Sequence, residues 1–290
     1  MAELLVAFTG DPAGSRMASH LATDMEEDGV TASGATAPTP HGHGGGRIAG
    51  FWRSRHYDLM TIHTPAISAD WLEEEIEAAG MGRYDGYVFL SKHYAESGVL
   101  ALTCHSTGNF GEAKFGGNDS EVAIPHPHLQ KAYLRNLHQR REESAFAGFD
   151  VTIEATHHGP SALGRPVLFI EVGTTPKQWN DDGLCGAVAD VVHDTITSNV
   201  PRSPVAICFG GTHYPKKFTD EILDGACALG TVIPKRAVRL LGDDDGLFPH
   251  IVRRNGAASE ALLDWGGIPG PDRKGLEDLL STTSLRTRRI

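Results

Sequence analysis

The 290-residue chain has only four cysteines, Cys104, Cys185, Cys208 and Cys227, and no two of them form a CxxC pair. That spacing suggests neither a zinc knuckle nor a disulfide framework, so reduced thiols in a cytoplasmic compartment are expected. Long apolar runs are also missing. The run at residues 4–8 has no basic stretch before it, and no segment approaches the roughly 18 apolar residues of a membrane span. The expectation is a protein without secretion signal or membrane segment. Basic charge is in deficit as well, with 26 Lys and Arg against 37 Asp and Glu and a net charge of -11. A generic nucleic-acid coat is therefore disfavoured, because phosphate binding rests on clustered Lys and Arg.

Apolar residues are in ample supply: at 40% of the chain they can build a real core. Fifteen histidines are many for this length, and histidine is both the usual base near neutral pH and the commonest metal ligand. The segment at 31–50, TASGATAPTPHGHGGGRIAG, is dominated by Gly, Ala, Thr and Pro and reads as a flexible insertion, with His41 and His43 in a solvated tract.

Elsewhere short apolar runs alternate with amphipathic stretches, the pattern of an α/β protein with a mostly parallel or mixed sheet flanked by helices. Strands are predicted at 4–8, 57–63, 86–90, 122–124, 151–155, 166–172 and 205–209. One helix is predicted from Thr175 to about Ser198, with Thr175 as N-cap, Pro176 at the first helical position and Gln178 closing a capping box. Trp179, Val188, Val191 and Val192 give it an apolar face, and Leu129, Ala132, Tyr133 and Leu137 do the same for a helix after Pro127. No repeat or linker divides the chain, so one domain spanning 1–290 is expected.

Five polar clusters end or follow the predicted strands: Ser91-Lys92-His93, His105 to Asn109, Glu154 to Gly159, Glu171 to Thr175, and Gly210 to Tyr214. In open α/β sheets ligands bind outside the carboxyl ends of the strands, so these distant clusters can share one crevice. Glu154 and His157 have the spacing of ligands on a helix, but the β-branched run VTIEAT reads as strand, which removes that argument. On an extended chain His157 and His158 point to opposite sides, so only one is expected to face the crevice. FGGTHY matches neither GxGxxG nor GxxxxGK[ST], and its glycines read as a tight turn. Lys216-Lys217 and Lys235-Arg236, with Arg239, are either a solvated face or a local seat for a polyanion. Arg286, Arg288 and Arg289 read as a frayed tail.

LTCHSTGNFG (102–111), EATHHGP (154–160) with PVLFIEVG (166–173), FGGTHYPKKFT (209–219) and LDWGG (263–267) occur in an order that resembles the D-aminoacyl-tRNA deacylases of archaeal and plant type. The resemblance runs from about Tyr57 to Trp265, and DPAG at 11–14 faintly echoes the family's start. Two departures stand out. Lys92-His93-Tyr94 replaces the family's Arg-His-Ser, and Thr231 stands where a histidine is common. The resemblance implies a fold related to peptidyl-tRNA hydrolases and nucleoside phosphorylases, zinc as cofactor, D-aminoacyl-tRNA as substrate, and hydrolysis of its ester in chiral proofreading.

Ester hydrolysis needs an activated water and donors for the oxyanion. Water activation is assigned to a histidine among His93, His105, His157 and His213, with His158 as the alternative to its neighbour, and oxyanion support to Asn109 or glycine amides. Glu154 and Glu171 would orient histidines or bind the substrate ammonium. Candidate metal ligands lie among His105, His157, His158 and His213, and Lys216, Lys217, Lys235 and Arg236 would meet the tRNA. A monomer is expected. Two other readings stay open: a metal-dependent or phosphorylase-like hydrolase of small molecules, and a non-catalytic tRNA- or nucleotide-binding homologue.

Overall fold

Two sheets carry the chain, and the computed structural model describes residues 2–27 and 46–290. In chain order the first half runs β1 (Glu3–Phe8), α1 (Pro12–Glu27), β2 (Ile48–Arg53), β3 (Tyr57–Ile62), α2 (Leu72–Ala78), β4 (Tyr87–Tyr94), β5 (Ala101–His105), α3 (Pro127–Gln139) and β6 (Asp150–Ile153). The second half continues with β7 (Val167–Thr174), α4 (Pro176–Trp179), α5 (Asp182–Thr197), β8 (Val205–Phe209), α6 (Lys216–Asp224), β9 (Ala228–Ile233), α7 (Lys235–Val238), α8 (Leu240–Asp243), α9 (Leu247–Arg254), β10 (Ala258–Leu263), α10 (Gly270–Ser281) and β11 (Arg286–Arg289).

The larger sheet has seven strands in the order β2-β3-β1-β4-β7-β5-β6, and the smaller has four in the order β11-β10-β8-β9. The smaller sheet is parallel throughout, whereas β2 and β5 run antiparallel to β3 and β7 in the larger one. The α/β expectation of a mixed, mostly parallel sheet is met, with a second sheet added. Near-continuous apolar strands such as VLFIEV are buried on both faces, as parallel sheets require. One face of the large sheet packs on α1, α3 and α5 in a cluster that also includes Ala206, Cys208, Leu229 and Val232 of the small sheet. Its other face, with Leu4, Val6, Phe89 and Phe169, packs on α2. The outer face of the small sheet is covered by α7 to α10.

Several expectations change. The single helix at 175–198 is two: Thr175 caps α4 and bonds Gln178 Oε1 at 2.7 Å, then Asp181 caps α5 by accepting from Leu184 N at 3.0 Å. A second capping side chain so soon restarts the helix. The predicted strand at 122–124 is not a strand: it forms an isolated bridge, Val122 to Gly108, and its Val122 carbonyl accepts from Arg254 Nε at 2.9 Å. The flexible insertion at 31–50 lies outside the described residues up to 45, including His41 and His43, but Ile48 to Gly50 belong to β2. The arginine-rich end is no frayed tail. It is β11, paired in parallel with β10, where Arg288 reaches Glu221 at 2.8 Å and Glu260 at 3.4 Å.

Candidate active site

Strand parity builds the first half of the site. In the β4–β7 register Ser91 faces Glu171 and His93 faces Gly173, while across β5–β7 His105 lies opposite Phe169 and Thr103 opposite Glu171. Alternate residues of a strand share a face, so His93, His105 and Glu171 project from one side of the large sheet. Glu171 is a buried carboxylate, and burying it demands partners. His93 Nδ1 stands 3.2 Å from Oε2 and His105 Nε2 3.7 Å from Oε1. The capping box of α4 supports this arrangement from behind, since it places Trp179 so that its indole Nε1 donates to the His93 carbonyl at 2.9 Å.

The second half arrives on the segment after β6. Glu154 N still pairs with Cys104 O at 3.1 Å, but Ala155 N turns to His213 O at 2.8 Å and Thr156 N to Val232 O at 2.9 Å. Residues 154–156 thus join the two sheets, which is why the strand expected to 155 ends at Ile153. His158 has a φ of 41°. That left-handed step breaks the extended alternation, and both imidazoles enter the same space with ring centroids 4.4 Å apart. The expectation that only one of the pair faces the crevice is corrected accordingly. From the opposite side, Gly210 and Gly211 turn with φ of 107° and 78°, and a Cβ on Gly210 would stand 2.8 Å from Asp264 O. Glycine is needed there, and the turn brings His213 Nε2 to 2.8 Å from Glu154 Oε2.

Apart from the buried His105, the cluster lines a cavity of about 530 Å³ that Phe8, Pro65, Ile67 and Phe115 also line. Its electrostatics separate the histidines. Burial opposes a charge on His93, yet Glu154 Oε1 at 3.1 Å and Glu171 outweigh it and push its pKa up to about 10. Such a histidine carries both protons, so its Nε2 donates to the Tyr214 oxygen at 2.8 Å. Burial, then Glu154 and Glu171, push the Tyr214 phenol up to about 12, and its own hydrogen is left for a substrate. His157 and His158 shift the other way. Burial, then the charge on His105, lower both, His158 to about 4. Each neutral ring gives its Nδ1 hydrogen to a carbonyl, of Ala155 at 2.9 Å and of Gly159 at 2.7 Å, and each leaves an Nε2 lone pair. Burial also opposes ionisation of the two glutamates. His213 and His93 nevertheless hold Glu154 well below the usual carboxylate range, and His105 and His93 hold Glu171 below it.

Both oxygens of Glu154 and the Nε2 of His105 are buried without an aligned hydrogen-bond partner. Imidazole nitrogens stand near the two Glu154 oxygens, at 3.1 and 2.8 Å, but in poor hydrogen-bond directions. Although His93 balances part of their charge, carboxylate oxygens without an aligned donor keep lone pairs that can coordinate a cation. Ligand atoms of Glu154, His157 and His213 lie within 4.8 Å of one another, as do those of His105, His157 and His158. Imidazole with carboxylate is a zinc donor set, and Nδ1 bonds to carbonyls are the usual support behind such ligands. The residues present therefore fit a divalent ion.

A family model describing D-aminoacyl-tRNA deacylases matches residues 81–288. A D-aminoacyl-tRNA deacylase of Cenarchaeum symbiosum is 54% identical over 98% of this chain and 98% of its own length. The chain belongs to the D-aminoacyl-tRNA deacylase family. A deacylase of Methanosarcina mazei is 34% identical over 80% of this chain and 75% of its own. A crystal structure of a conserved protein of unknown function superposes with a TM-score of 0.85 at 25% identity, covering 99% of this chain and 95% of that one.

Within this member of the deacylase family, the structure brings together His93, His105, Glu154, His157, His158, Glu171 and His213. Asn109 stays apart. Its amide donates to the carbonyls of Gly116 at 2.9 Å and Asn118 at 3.1 Å, which uses both hydrogens and removes it as an oxyanion donor. Of the basic candidates, Lys217 is tied to Asp264 at 2.9 Å and Lys216 to Asp220 at 2.8 Å. Lys235 and Arg236 are exposed at the start of α7, where Lys235 N bonds Gly211 O beside the His213 turn. Thr231 is buried in β9 and bonded by Asn255 Nδ2 at 2.7 Å, so this departure from the deacylase pattern serves packing. At the other departure His93 keeps its place in the cluster, Lys92 Nζ lies 5.0 Å over the Trp179 ring and Tyr94 is exposed. Sequence reasoning placed Tyr214 in the fifth polar cluster without giving it a role, and it missed Phe8, Ile67 and Phe115. The three apolar residues carry no sequence signal, since nothing in their local pattern distinguishes them from core positions.

Proposed function

We propose that this chain hydrolyses the ester joining a D-amino acid to the 3′ end of tRNA. The observation that carries the reading is the cluster of two buried carboxylates and four histidines lining one cavity, with His105 buried behind them, in a chain of the deacylase family. The apolar lining, with Phe8, Ile67 and Phe115, receives the amino-acid side chain. Phe115 suits that task because it is a large apolar residue held at 68% exposure. We further infer that Glu154, His157 and His213 would hold a zinc ion, since they meet the cavity while His105 is fully buried. A bound zinc supplies Lewis acidity toward an ester carbonyl and makes water more acidic.

The protein's own groups divide the remaining work. The water oxygen adds to the carbonyl carbon while one water proton passes to the lone pair on His158 Nε2, with Glu171 Oε1 4.0 Å away to stabilise the imidazolium. The bond from that carbon to the ribose oxygen breaks, and the Tyr214 O–H protonates the departing oxygen. The proton on His158 then returns to Tyr214 through solvent. His93, charged and fixed between Glu154 and Glu171, keeps the phenol oriented.

The proposed setting is the cytoplasm, with the chain acting as a monomer and as one domain. The four free, buried cysteines agree with a reducing compartment, and one apolar cluster shared by both sheets agrees with one folding unit. No described helix is long and apolar enough to cross a membrane. The deciding experiment compares release of D-tyrosine and L-tyrosine from matched charged tRNAs. The D form is expected to be cleaved far faster, with loss of activity on chelation and recovery with zinc. Equal rates on both, or none on either with folded and zinc-supplied protein, overturn the proposal.

A further inference from the structure

Tyr214 stands between the catalytic cluster and a second cavity, of about 600 Å³. This space exists because β6 is the last strand of the large sheet, so no strand among the described residues lies at its outer edge. α6 closes that edge, where Thr219 Oγ1 meets Thr152 Oγ1 at 2.9 Å. Val99, Phe149, Val151 and Leu223 give the cavity apolar walls, and Arg141 and Lys216 stand at its lining with Asp150. Val99 is 53% exposed, an apolar side chain left uncovered on this wall. The volume falls in the range of about 300–1,000 Å³ typical of small-molecule sites.

We propose that this second cavity seats the terminal nucleoside of the tRNA, with its phosphate toward Arg141 and Lys216. The proposal rests on the deacylase reading above and adds where the leaving group is held. An aminoacyl ester has two sides, and a site that cleaves it needs a space for each. The cavity with the glutamates and the apolar lining takes the acyl side. Among the described residues the two spaces meet at Tyr214: it lines the second cavity, and its hydroxyl stands 2.8 Å from Nε2 of His93, which lines the first. A purine or pyrimidine has two apolar faces and a polar edge, which the wall of Phe149, Val151 and Leu223 and the carboxylate of Asp150 match. The charge is mixed, because Asp220 already holds Lys216 at 2.8 Å and Asp150 is close by. Such a lining suits a nucleoside with one phosphate better than a polyphosphate.

The test uses adenosine 5′-monophosphate as probe, followed by calorimetric titration of the whole protein, with turnover of D-tyrosyl-tRNA and of D-tyrosine methyl ester measured in parallel. Val99→Trp, which fills the cavity from its exposed wall, is expected to weaken the nucleotide about tenfold and to raise KM for D-tyrosyl-tRNA similarly. Its kcat and its rate on the methyl ester should stay unchanged. Arg141→Glu, on an exposed side chain that cannot disturb the core, should weaken the monophosphate more than adenosine. If the nucleotide does not bind, or binds both variants as it binds the wild type, the cavity is not a nucleoside site. If the wild type binds the nucleotide and Val99→Trp abolishes binding, but no D-aminoacyl-tRNA is cleaved, the cavity assignment stands and the deacylase reading fails. Equal losses on the tRNA and the methyl ester would mean that Val99→Trp disturbs catalysis; Arg141→Glu then decides, and an unchanged preference for monophosphate over adenosine overturns the proposal.

Discussion

At the scale of single residues, the proposed mechanism gives the adjacent identical side chains of His157 and His158 different tasks. Both rings face the cavity because the φ of 41° at His158 undoes the strand alternation. What separates them is what each Nε2 meets: Glu154 Oε2 at 3.8 Å for His157, Glu171 Oε1 at 4.0 Å for His158. His157→Gln is expected to lose bound zinc, read by elemental analysis, together with turnover. His158→Gln should keep the metal and lose turnover by about a hundredfold or more, the usual cost of a missing acid–base group. Equal zinc content and full activity in both variants would dismiss the division of labour. Tyr214→Phe tests the leaving-group donor: it removes the O–H but not the ring, and kcat on the tRNA ester should fall while zinc content and melting temperature hold.

At the scale of elements, two short segments bear on function. The loop after Asn109 places Phe115, and it is pinned by Asn109, by Gly159 N on Phe115 O at 3.0 Å and by Ser161 Oγ on Asn118 N at 2.8 Å. Gly116, with φ 73°, leaves no room for a side chain, since a Cβ would stand 1.9 Å from Ile67 O. Gly116→Ala should therefore cost about 1–3 kcal/mol and raise KM for aminoacyl substrates as Phe115 moves, measured by thermal melting and steady-state kinetics. The second segment is β11. Burial tends to raise the Glu260 pKa, but Arg286 and Arg288 overcome this and hold it below its ordinary value of 4.5. The sign of the linkage follows: its contribution is complete above 4.5 and is lost as pH falls through the lower folded value. Glu260→Gln should lower stability at neutral pH by about 1 kcal/mol, a modest figure because Glu260 is buried but its partners Arg286 and Arg288 reach solvent, which screens the pairs. The difference from wild type should vanish in strong acid; a difference independent of pH would show that packing, not charge, holds the strand.

At the scale of the whole molecule, a net charge of -11 has to be reconciled with a polyanionic substrate. We propose that Lys235 and Arg236 resolve the conflict locally, since both are exposed beside the His213 turn while Lys217 is spent on Asp264. Lys235→Glu with Arg236→Glu is expected to raise KM for D-tyrosyl-tRNA and to flatten its dependence on salt, each lost phosphate contact removing about 0.7–0.9 from the log–log slope. Hydrolysis of the methyl ester should not change. An unaltered salt dependence would place the tRNA on another face.

The sequence by itself determined the class of fold, most of the central strands, the cap at Thr175 and the seven residues of the cluster, because these rest on local signals: apolar periodicity, capping chemistry and polar residues after strands. Tertiary structure decided the rest. Whether a polar residue serves the site depends on which partner it finds across the fold, so Asn109, in the same motif as His105, is spent on holding a loop. The small strand β11 was invisible because Arg286 to Arg289 is polar and becomes a strand only where Leu262 and Leu263 of β10 offer an edge and Glu260 a counter-charge. The cavity that faces Tyr214 was equally hidden. It is made of side chains from α3, β6 and α6 that no spacing in the chain relates, and only packing the two sheets together puts them around one space.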